Sequence, residues 1–532
     1  KGLKEQFKDK KRKTFLDILQ GFYDKTLEWA FKRKKLVIFI GIGSFLMAIL
    51  LGLVVKRQLF PFVERNQFAV EIFLPTGSSL TQTEKIVDSL QNVFKNDKRI
   101  INYAAFIGTS SPRFHATYAP NLPSNNYAQF VITTVSNEAT ENILSEYSNK
   151  YYNAFPEAHI KWKQLELTDK SAPIEIRISG DSIKELKKIS EKVKNILKST
   201  NGVYWARDDF EEPMQSINLD LNFDEMNRLG LSKSLVSYSI AAGFTGIPLT
   251  TVWEDDYPIK VVLKLQKSKH DTYNDLYNQY ITSPLLGTSI HLRQIASPLP
   301  EWNEGVIVRR NGIRTITIRG DVQKGVYVSE VLDKVKPEID KIILPDGYSK
   351  EYGGELEGEK ENYSMLSVSL LTSIIISFFI LLFQFRKIKL SLLILITMPL
   401  SIFGAILGLI IINYPFSFTS FVGIISLCGM VVRNGIIYVD YAENIRKENK
   451  LSPSEAAIAA GKRRMRPIFL TSAAASVGVI PMIISKSSLW GPLATVICFG
   501  LIFAMILSLY VLPVLYEFVT KKENKIPIEE NV

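Results

Sequence analysis

Six apolar runs constrain this sequence more than any other feature: Leu36–Val55, Ser364–Phe385, Leu390–Ile412, Phe416–Val439, Pro467–Ile484 and Leu489–Val519. The hydrocarbon core of a bilayer is crossed by roughly 20 apolar residues of helix. Helices satisfy their own backbone polar groups in lipid, where no water can. The spacing therefore predicts a polytopic α-helical membrane protein with six transmembrane helices in a 1+5 arrangement. Between the first two runs lies a polar segment, Lys56–Tyr363, large enough to fold into a substantial domain of its own.

The net charge of +11 raises nucleic acid as a partner, but the distribution of that charge argues otherwise. Lysine and arginine gather in 1–35, at Arg386, Lys387 and Lys389, across 446–466, and at Lys521, Lys522 and Lys525. The connection Asn413–Pro415 carries none, and 485–488 carries only Lys486. By the positive-inside rule both termini are cytoplasmic and Lys56–Tyr363 lies on the far side of the membrane. No nucleic-acid recognition motif is present. Cys428 and Cys498, the only cysteines, fall inside apolar runs, so the outer domain is held without disulfides. Phe15, Ile18, Leu19, Phe22 and Trp29 give the basic N-terminal segment an apolar face, which suits either an interfacial helix or a helix packed on a partner.

The outer segment reads as strand, helix, strand, strand, helix, strand: Phe68–Leu74, Leu80–Phe94, Ile101–Ile107, Gln129–Thr134, Ala139–Tyr152 and His159–Gln164. This is the split βαβ order. It begins again with Ile174–Ser179, Ile183–Lys198 and Val203–Asp209. It resumes with Val306–Arg310 and Thr315–Arg319, Val328–Lys341 and Ser349–Gly353. The expectation is a large α+β domain of two ferredoxin-like subdomains, 56–170 and 171–214 with 304–360. The second is interrupted by an inserted module, 215–303, with strands at Ile217–Leu221 and Lys260–Leu265. Around it stand a basic segment (1–35), the first span (36–55), the five remaining spans (364–519) and a tail (520–532). The long loop Gly108–Asn126 holds Arg113, Phe114, His115 and Tyr118, and loops of this length often bind or cover something.

Enzyme chemistry finds no support. Gly461-Lys462 lacks the loop glycines and the hydroxyl of a phosphate cradle. No nucleophile elbow occurs. His115, His159, His270 and His291 are scattered without metal-ligand spacing, so no metal and no cofactor is expected. Polar chemistry is instead concentrated in two apolar runs, GMVVRNGIIYVDY (Gly429–Tyr441) and RPIFLTSAAASVGVIP (Arg466–Pro481). The first carries Arg433 and Asn434 in mid-span, with Asp440 about two turns on; the second carries Thr471 and Ser472. An intramembrane arginine is costly in lipid and should face a wet cavity or a partner. Always charged, it cannot shuttle a proton itself. It can lower the pKa of a carboxylate that does, with a hydroxyl completing the network. The alternative is a permanently paired arginine that fixes helix packing. Gly404 and Gly408 allow close helix approach.

Taken with the one-plus-five layout, Gly429–Tyr441, Arg464–Pro481, Leu489–Ala494 leading to Leu512–Tyr516, and Lys56–Gly77 resemble the C-terminal half of a resistance-nodulation-division (RND) efflux transporter. The resemblance implies an inner-membrane, proton-driven homotrimer with a periplasmic domain, a periplasmic adaptor and an outer-membrane channel. The two α+β subdomains become porter subdomains and the insertion a docking module. Arg433, Asn434 and Thr471 become the proton relay, and Arg113, Phe114 and Tyr118 fall in the loop between substrate pockets. The family's acidic proton acceptors lie in the other half. No run here has an acid in its middle, so the chain is expected to need an N-terminal half, covalent or separate. No methionine occurs between Met47 and Met214, which favours a hydrophobic or amphiphilic substrate over a soft metal ion. Rival readings are an RND metal-ion exporter, a SecD-type protein-export accessory and a lipid- or sterol-sensing receptor.

Overall fold

The computed structural model describes residues 15–151, 154–168, 170–263 and 273–521. The basic stretch 1–14, the end of the helix expected to reach Tyr152, the end of the strand expected to reach Leu265, His270 and the tail from 522 lie outside the described residues. The chain divides into two compact units, one of residues 75–77 and 210–307 and the other of all the rest.

In the larger unit, α1 (Phe15–Lys32) is followed after Arg33 by α2 (Lys34–Gly52). The first sheet comprises β1 (Gln67–Phe73), β2 (Ile100–Ile107), β3 (Tyr127–Thr134) and β4 (His159–Gln164), with α3 (Leu80–Lys95) and α4 (Asn137–Lys150) on one face. Its order, β2-β3-β1-β4, follows from two β-α-β crossovers folding back on one another. Phe68, Val70 and Ile72 alternate toward the helices, where they pack with Phe94, Phe130 and Trp162. Ser79 and Gln82 close α3 with a capping box. The second sheet begins with β5 (Ile174–Ser179), α5 (Ile183–Ser199) and β6 (Val203–Asp208).

The smaller unit then intervenes. Here β7 (Met214–Leu221), α6 (Phe223–Arg228), α7 (Lys233–Phe244), β8 (Ile247–Glu254), β9 (Tyr257–Leu263), α8 (Tyr273–Tyr277), β10 (Tyr280–Thr282), β11 (Ser289–His291) and β12 (Ala296–Asn303) follow in order. β7 and β12 pair antiparallel over eight positions. Met226, Leu231, Val236, Ile281, Leu292 and Ile295 form its small core. The β8–β9 hairpin stands outside that core, with Leu249, Val252, Trp253, Tyr257, Val262 and Leu263 all exposed.

Back in the larger unit, β13 (Arg309–Arg310), β14 (Ile313–Val322), α9 (Val328–Asp340) and β15 (Ser349–Gly354) complete the second sheet. Its path β14-β5-β15, with β6 on the outer side of β14, repeats the strand order of the first sheet. The chain turns straight from β15 into a helix at Gly354, whose φ is +67°. A side chain there would strike the Pro173 carbonyl at 2.5 Å, so glycine alone fits.

The rest is helical: α10 (Glu355–Phe385), α11 (Ile388–Leu395), α12 (Thr397–Ile412), α13 (Phe418–Glu448), α14 (Pro453–Ile484) and α15 (Trp490–Lys521). Pro399 accounts for the break between α11 and α12, since it cannot donate to the Leu395 carbonyl. Among the described residues six helical stretches are long and apolar enough to cross a membrane, one before the sheets and five after, α11 and α12 counting as one. Several extend past the apolar runs. α10 begins in the charged segment before Ser364, and α13 and α14 consume most of the basic connection 446–466. Only 449–452 remains between those two helices. There Ser452 and Glu455 form a capping box with Pro453 in the first turn. Gly404 and Gly408 let α12 lie against α15, where added Cβ atoms would meet Phe503 at 2.5 Å and Phe499 at 2.6 Å.

Candidate functional site

Arg433 stands at the midpoint of the 31-residue α13. Leu427, Cys428, Val431 and Val432 turn into the bundle, while Ser426, Gly429 and Arg433 share the opposite stripe at helical spacing and are exposed. A Cβ added at Gly429 would meet nothing within 4 Å. Arg433 has no hydrogen-bond or ion-pair partner among the described residues. One residue on, Asn434 is buried between α13 and α14 and donates from Nδ2 to Ser472 Oγ at 3.1 Å. Its Oδ1 is buried and unpartnered.

On α14 the matching exposed stripe is Thr471, Ala474 and Gly478, again small. Thr471 Oγ1 donates back to the Pro467 and Ile468 carbonyls at 3.0 and 3.2 Å. Asn434 and Ser472 thus join the two helices, while their sequence neighbours Arg433 and Thr471 remain on open faces. Ser472 is the contact the sequence reading passed over in favour of Thr471. Only the rotation of α14 distinguishes the two hydroxyls.

Two acids near the ends of the spans are paired with cations, whereas Asp440 only accepts from Asn444 Nδ2 at 3.4 Å. Glu443 accepts from Tyr516 Oη at 2.6 Å and pairs with Arg446 at 3.2 Å and Lys387 at 3.3 Å. Glu517 pairs with Lys34 at 2.5 Å. Both lie near the basic ends of their helices, not at the depth of Arg433.

The second locus is the polar interior between the two sheets. Alternate residues on their helix-free faces are charged yet buried: Glu71 and Lys161 on the first sheet, Glu175, Arg177 and Asp321 on the second. Lys161 meets Asp321 at 2.9 Å. Burial alone would lower the Lys161 ammonium, but Asp321 and Glu71 outweigh it and leave it above its ordinary value. Beside the pair lies a cavity of about 110 Å³ walled by Phe60, Phe62, Trp162, Tyr204, Lys163 and Glu166. Burial holds the Glu166 carboxyl above the usual range despite Lys163, Lys170 and Lys161.

The loop 108–126 is fastened over the first sheet. Tyr118 is buried, donates its hydroxyl to Glu71 and accepts from Gln129 Nε2 at 2.7 Å. Gln129 Oε1 in turn accepts the Ser111 amide at 2.6 Å. Lys163 lies over the Tyr118 ring at 4.7 Å, and Phe114 packs on it at 4.9 Å between ring centres. Arg113 is exposed, and none of Arg113, Phe114 and Tyr118 lines the cavity beside Lys161. Glu71 reads in sequence as an ordinary outward strand position. Only the covering loop makes it a buried acceptor.

Comparison with known proteins fits this architecture. The model of the AcrB/AcrD/AcrF family matches residues 3–520. The swarming motility protein SwrC of Bacillus subtilis is 24% identical over 526 residues, 96% of this chain and 48% of that protein. The cobalt-zinc-cadmium resistance protein CzcA of Cupriavidus metallidurans is 23% identical over 527 residues, 94% and 48% of the two chains. The multidrug resistance protein MdtC of Klebsiella pneumoniae is 23% identical over 507 residues, with the same two shares. A crystal structure of a heavy metal efflux pump superposes with a TM-score of 0.79 at 22% identity, covering 96% of this chain and 52% of that one. The chain spans about half the length of the curated relatives it matches. It belongs to the AcrB/AcrD/AcrF family of RND permeases, multi-pass membrane proteins built from apolar helices and a large α/β domain.

Proposed function

We propose that this chain is the C-terminal half of a proton-motive-force-driven efflux permease that exports hydrophobic or amphiphilic compounds. The carrying observation is Arg433, charged, mid-span and without a partner among the described residues, on a stripe of small residues beside the matching stripe of α14. A charge so placed is tolerable only against protein or water. The complementary half would bring the acidic groups that take and release the proton. Arg433 would set their charge balance, and Thr471 and Asn434, with its open Oδ1, would complete the relay.

The two sheets would be porter subdomains on the periplasmic side of the inner membrane, and the smaller unit a docking module toward an adaptor and an outer-membrane channel. The β8–β9 hairpin supports a homotrimer: a lone two-stranded ribbon is marginal in water, and its exposed apolar residues call for a neighbouring subunit. Aromatic walls beside Lys163 and Glu166 suit an amphiphile with an apolar body and a polar end. The metal-export reading has its own support in the likeness to CzcA and to the heavy metal pump.

Everted membrane vesicles containing the complete transporter separate the two. Uptake of an amphiphilic dye, driven by an imposed proton gradient and collapsed by a protonophore, is the expected result. Gradient-driven uptake of Zn²⁺ or Co²⁺ without dye movement would replace the substrate assignment. Movement of neither would overturn the efflux reading.

A further inference from the structure

α1 carries two apolar faces. One is packed: Tyr23, Leu27, Ala30 and Phe31 are buried, and Tyr23 donates to the Leu509 carbonyl at 2.9 Å. The other is open, with Phe15, Ile18, Phe22 and Trp29 exposed. Between this open face, α2 and α15 runs a groove of about 300 Å³ whose walls are almost wholly apolar, among them Phe22, Trp29, Ile40, Ile506 and Val511. The two hydroxyls on its walls, Thr26 Oγ1 and Tyr510 Oη, are 2.8 Å apart and bond to each other.

The charge at its mouth is unusual. Arg33, at the joint between α1 and α2, holds its guanidinium 5.3 Å from the centre of the Trp29 ring that forms one wall. Lys32 and Lys35 flank it; all three are exposed and none forms an ion pair within 4 Å among the described residues, although Lys32 lies near enough to Glu28 to help hold that carboxyl down. Three of the nearby acids are paired with other cations, Asp17 with Arg466 at 2.6 Å, Glu28 with Lys462 at 2.7 Å and Glu517 with Lys34 at 2.5 Å, while Asp24 accepts from the neutral Gln20 amide at 2.8 Å. An apolar slot thus ends in a surplus of positive charge.

We propose that this groove binds an anionic phospholipid, one acyl chain lying between α1, α2 and α15 and the phosphate resting on Arg33, Lys32 and Lys35. A zwitterionic lipid offers the same chain but no net charge. A soluble phosphate offers the charge but no chain. Basic clusters at a membrane surface draw anionic headgroups, and buried methylene groups add to the binding. The assignment stands apart from the exported substrate, since none of these residues belongs to the relay or to the inter-sheet cavity.

The test is quenching of Trp29 in the purified full chain by acyl-brominated lipids, read as the difference between the native protein and Trp29→Phe. Brominated phosphatidylglycerol is expected to quench Trp29 at lower mole fraction than brominated phosphatidylcholine, with the preference shrinking in high salt. Neutralising Lys32, Arg33 and Lys35 to Gln together should remove the preference, each charge counting for about five-fold in affinity. Excess inorganic phosphate should not displace the lipid; displacement would mean a phosphate site alone. Equal quenching by the two lipids would reduce the groove to ordinary lipid contact and overturn the proposal. Quenching by neither would mean that protein covers the groove. Should the triple variant misfold, the salt dependence in the native protein decides the matter alone.

Discussion

The exposed face of α10 and the small-residue stripes of α13 and α14 differ in kind, although Leu470, Val477 and Ile484 also stand exposed on α14. α10 shows Met365, Val368, Leu371, Ile376, Phe379 and Phe383, large apolar side chains suited to acyl chains. The stripes of α13 and α14 show Ser426, Gly429, Arg433, Thr471, Ala474 and Gly478, small or polar groups that lipid tails neither solvate nor pack well against. On the function proposed here, the first face meets lipid as it stands and the second awaits the complementary half. The seam of α12 on α15, where Gly404 and Gly408 already meet Phe503 and Phe499, shows what such small residues look like once covered. Exposure alone is therefore ambiguous in a membrane chain, and the size and polarity of what is exposed resolve it.

The largest expected effect separates the two faces directly. Arg433→Ala should cut proton-coupled transport by roughly a hundredfold with assembly intact, whereas Phe379→Ala should leave it near normal; vesicle uptake reads both. Equal effects would erase the distinction. Next come two glycines. Gly408→Leu forces a side chain against Phe499 and should destabilise the chain itself by about 1–3 kcal/mol, seen as a lower Tm. Gly429→Leu enters open space and should leave that Tm unchanged while blocking association with the complementary half, read by co-purification. The reverse pattern would mean that the stripe is no interface.

Within the outer domain the same contrast applies to polar groups. Tyr118→Phe removes the hydroxyl between Glu71 and Gln129 and strands a buried carboxylate. The expected cost is about 1–3 kcal/mol, with faster tryptic cleavage at Arg113 as the loop loosens. The smallest effect concerns a pair near the surface. Arg99 and the Tyr147 hydroxyl hold the Asp97 carboxyl down at about 2. An acid whose folded pKa is depressed contributes stability above its unfolded pKa and loses it as pH falls through the folded value. Asp97→Asn should therefore cost about 1 kcal/mol at pH 7, and the difference should fade between pH 4 and 2, as followed by thermal melts. A cost that persisted at pH 2 would assign the effect to packing.

What the sequence made legible follows from the range of each signal. Strands such as His159–Gln164 announce themselves by alternation over a few residues, and Arg433 by one charge in an apolar run. Helix extensions hid in charged segments: Glu355–Tyr363 and the stretch 446–466 read as connections because their periodicity is masked by lysine and glutamate. The Asn434–Ser472 bond and the Tyr118–Glu71–Gln129 network were not legible at all. Each depends on how one element is rotated or laid over another, which local pattern does not encode.

The central claim, that the Arg433 stripe faces protein, is tested most directly by photo-crosslinking in native membranes. A small diazirine amino acid placed at Ser426, and in a second strain at Phe379, reports what each face touches. A polypeptide adduct from Ser426 and lipid adducts from Phe379 are expected. Lipid adducts from both positions would contradict that claim.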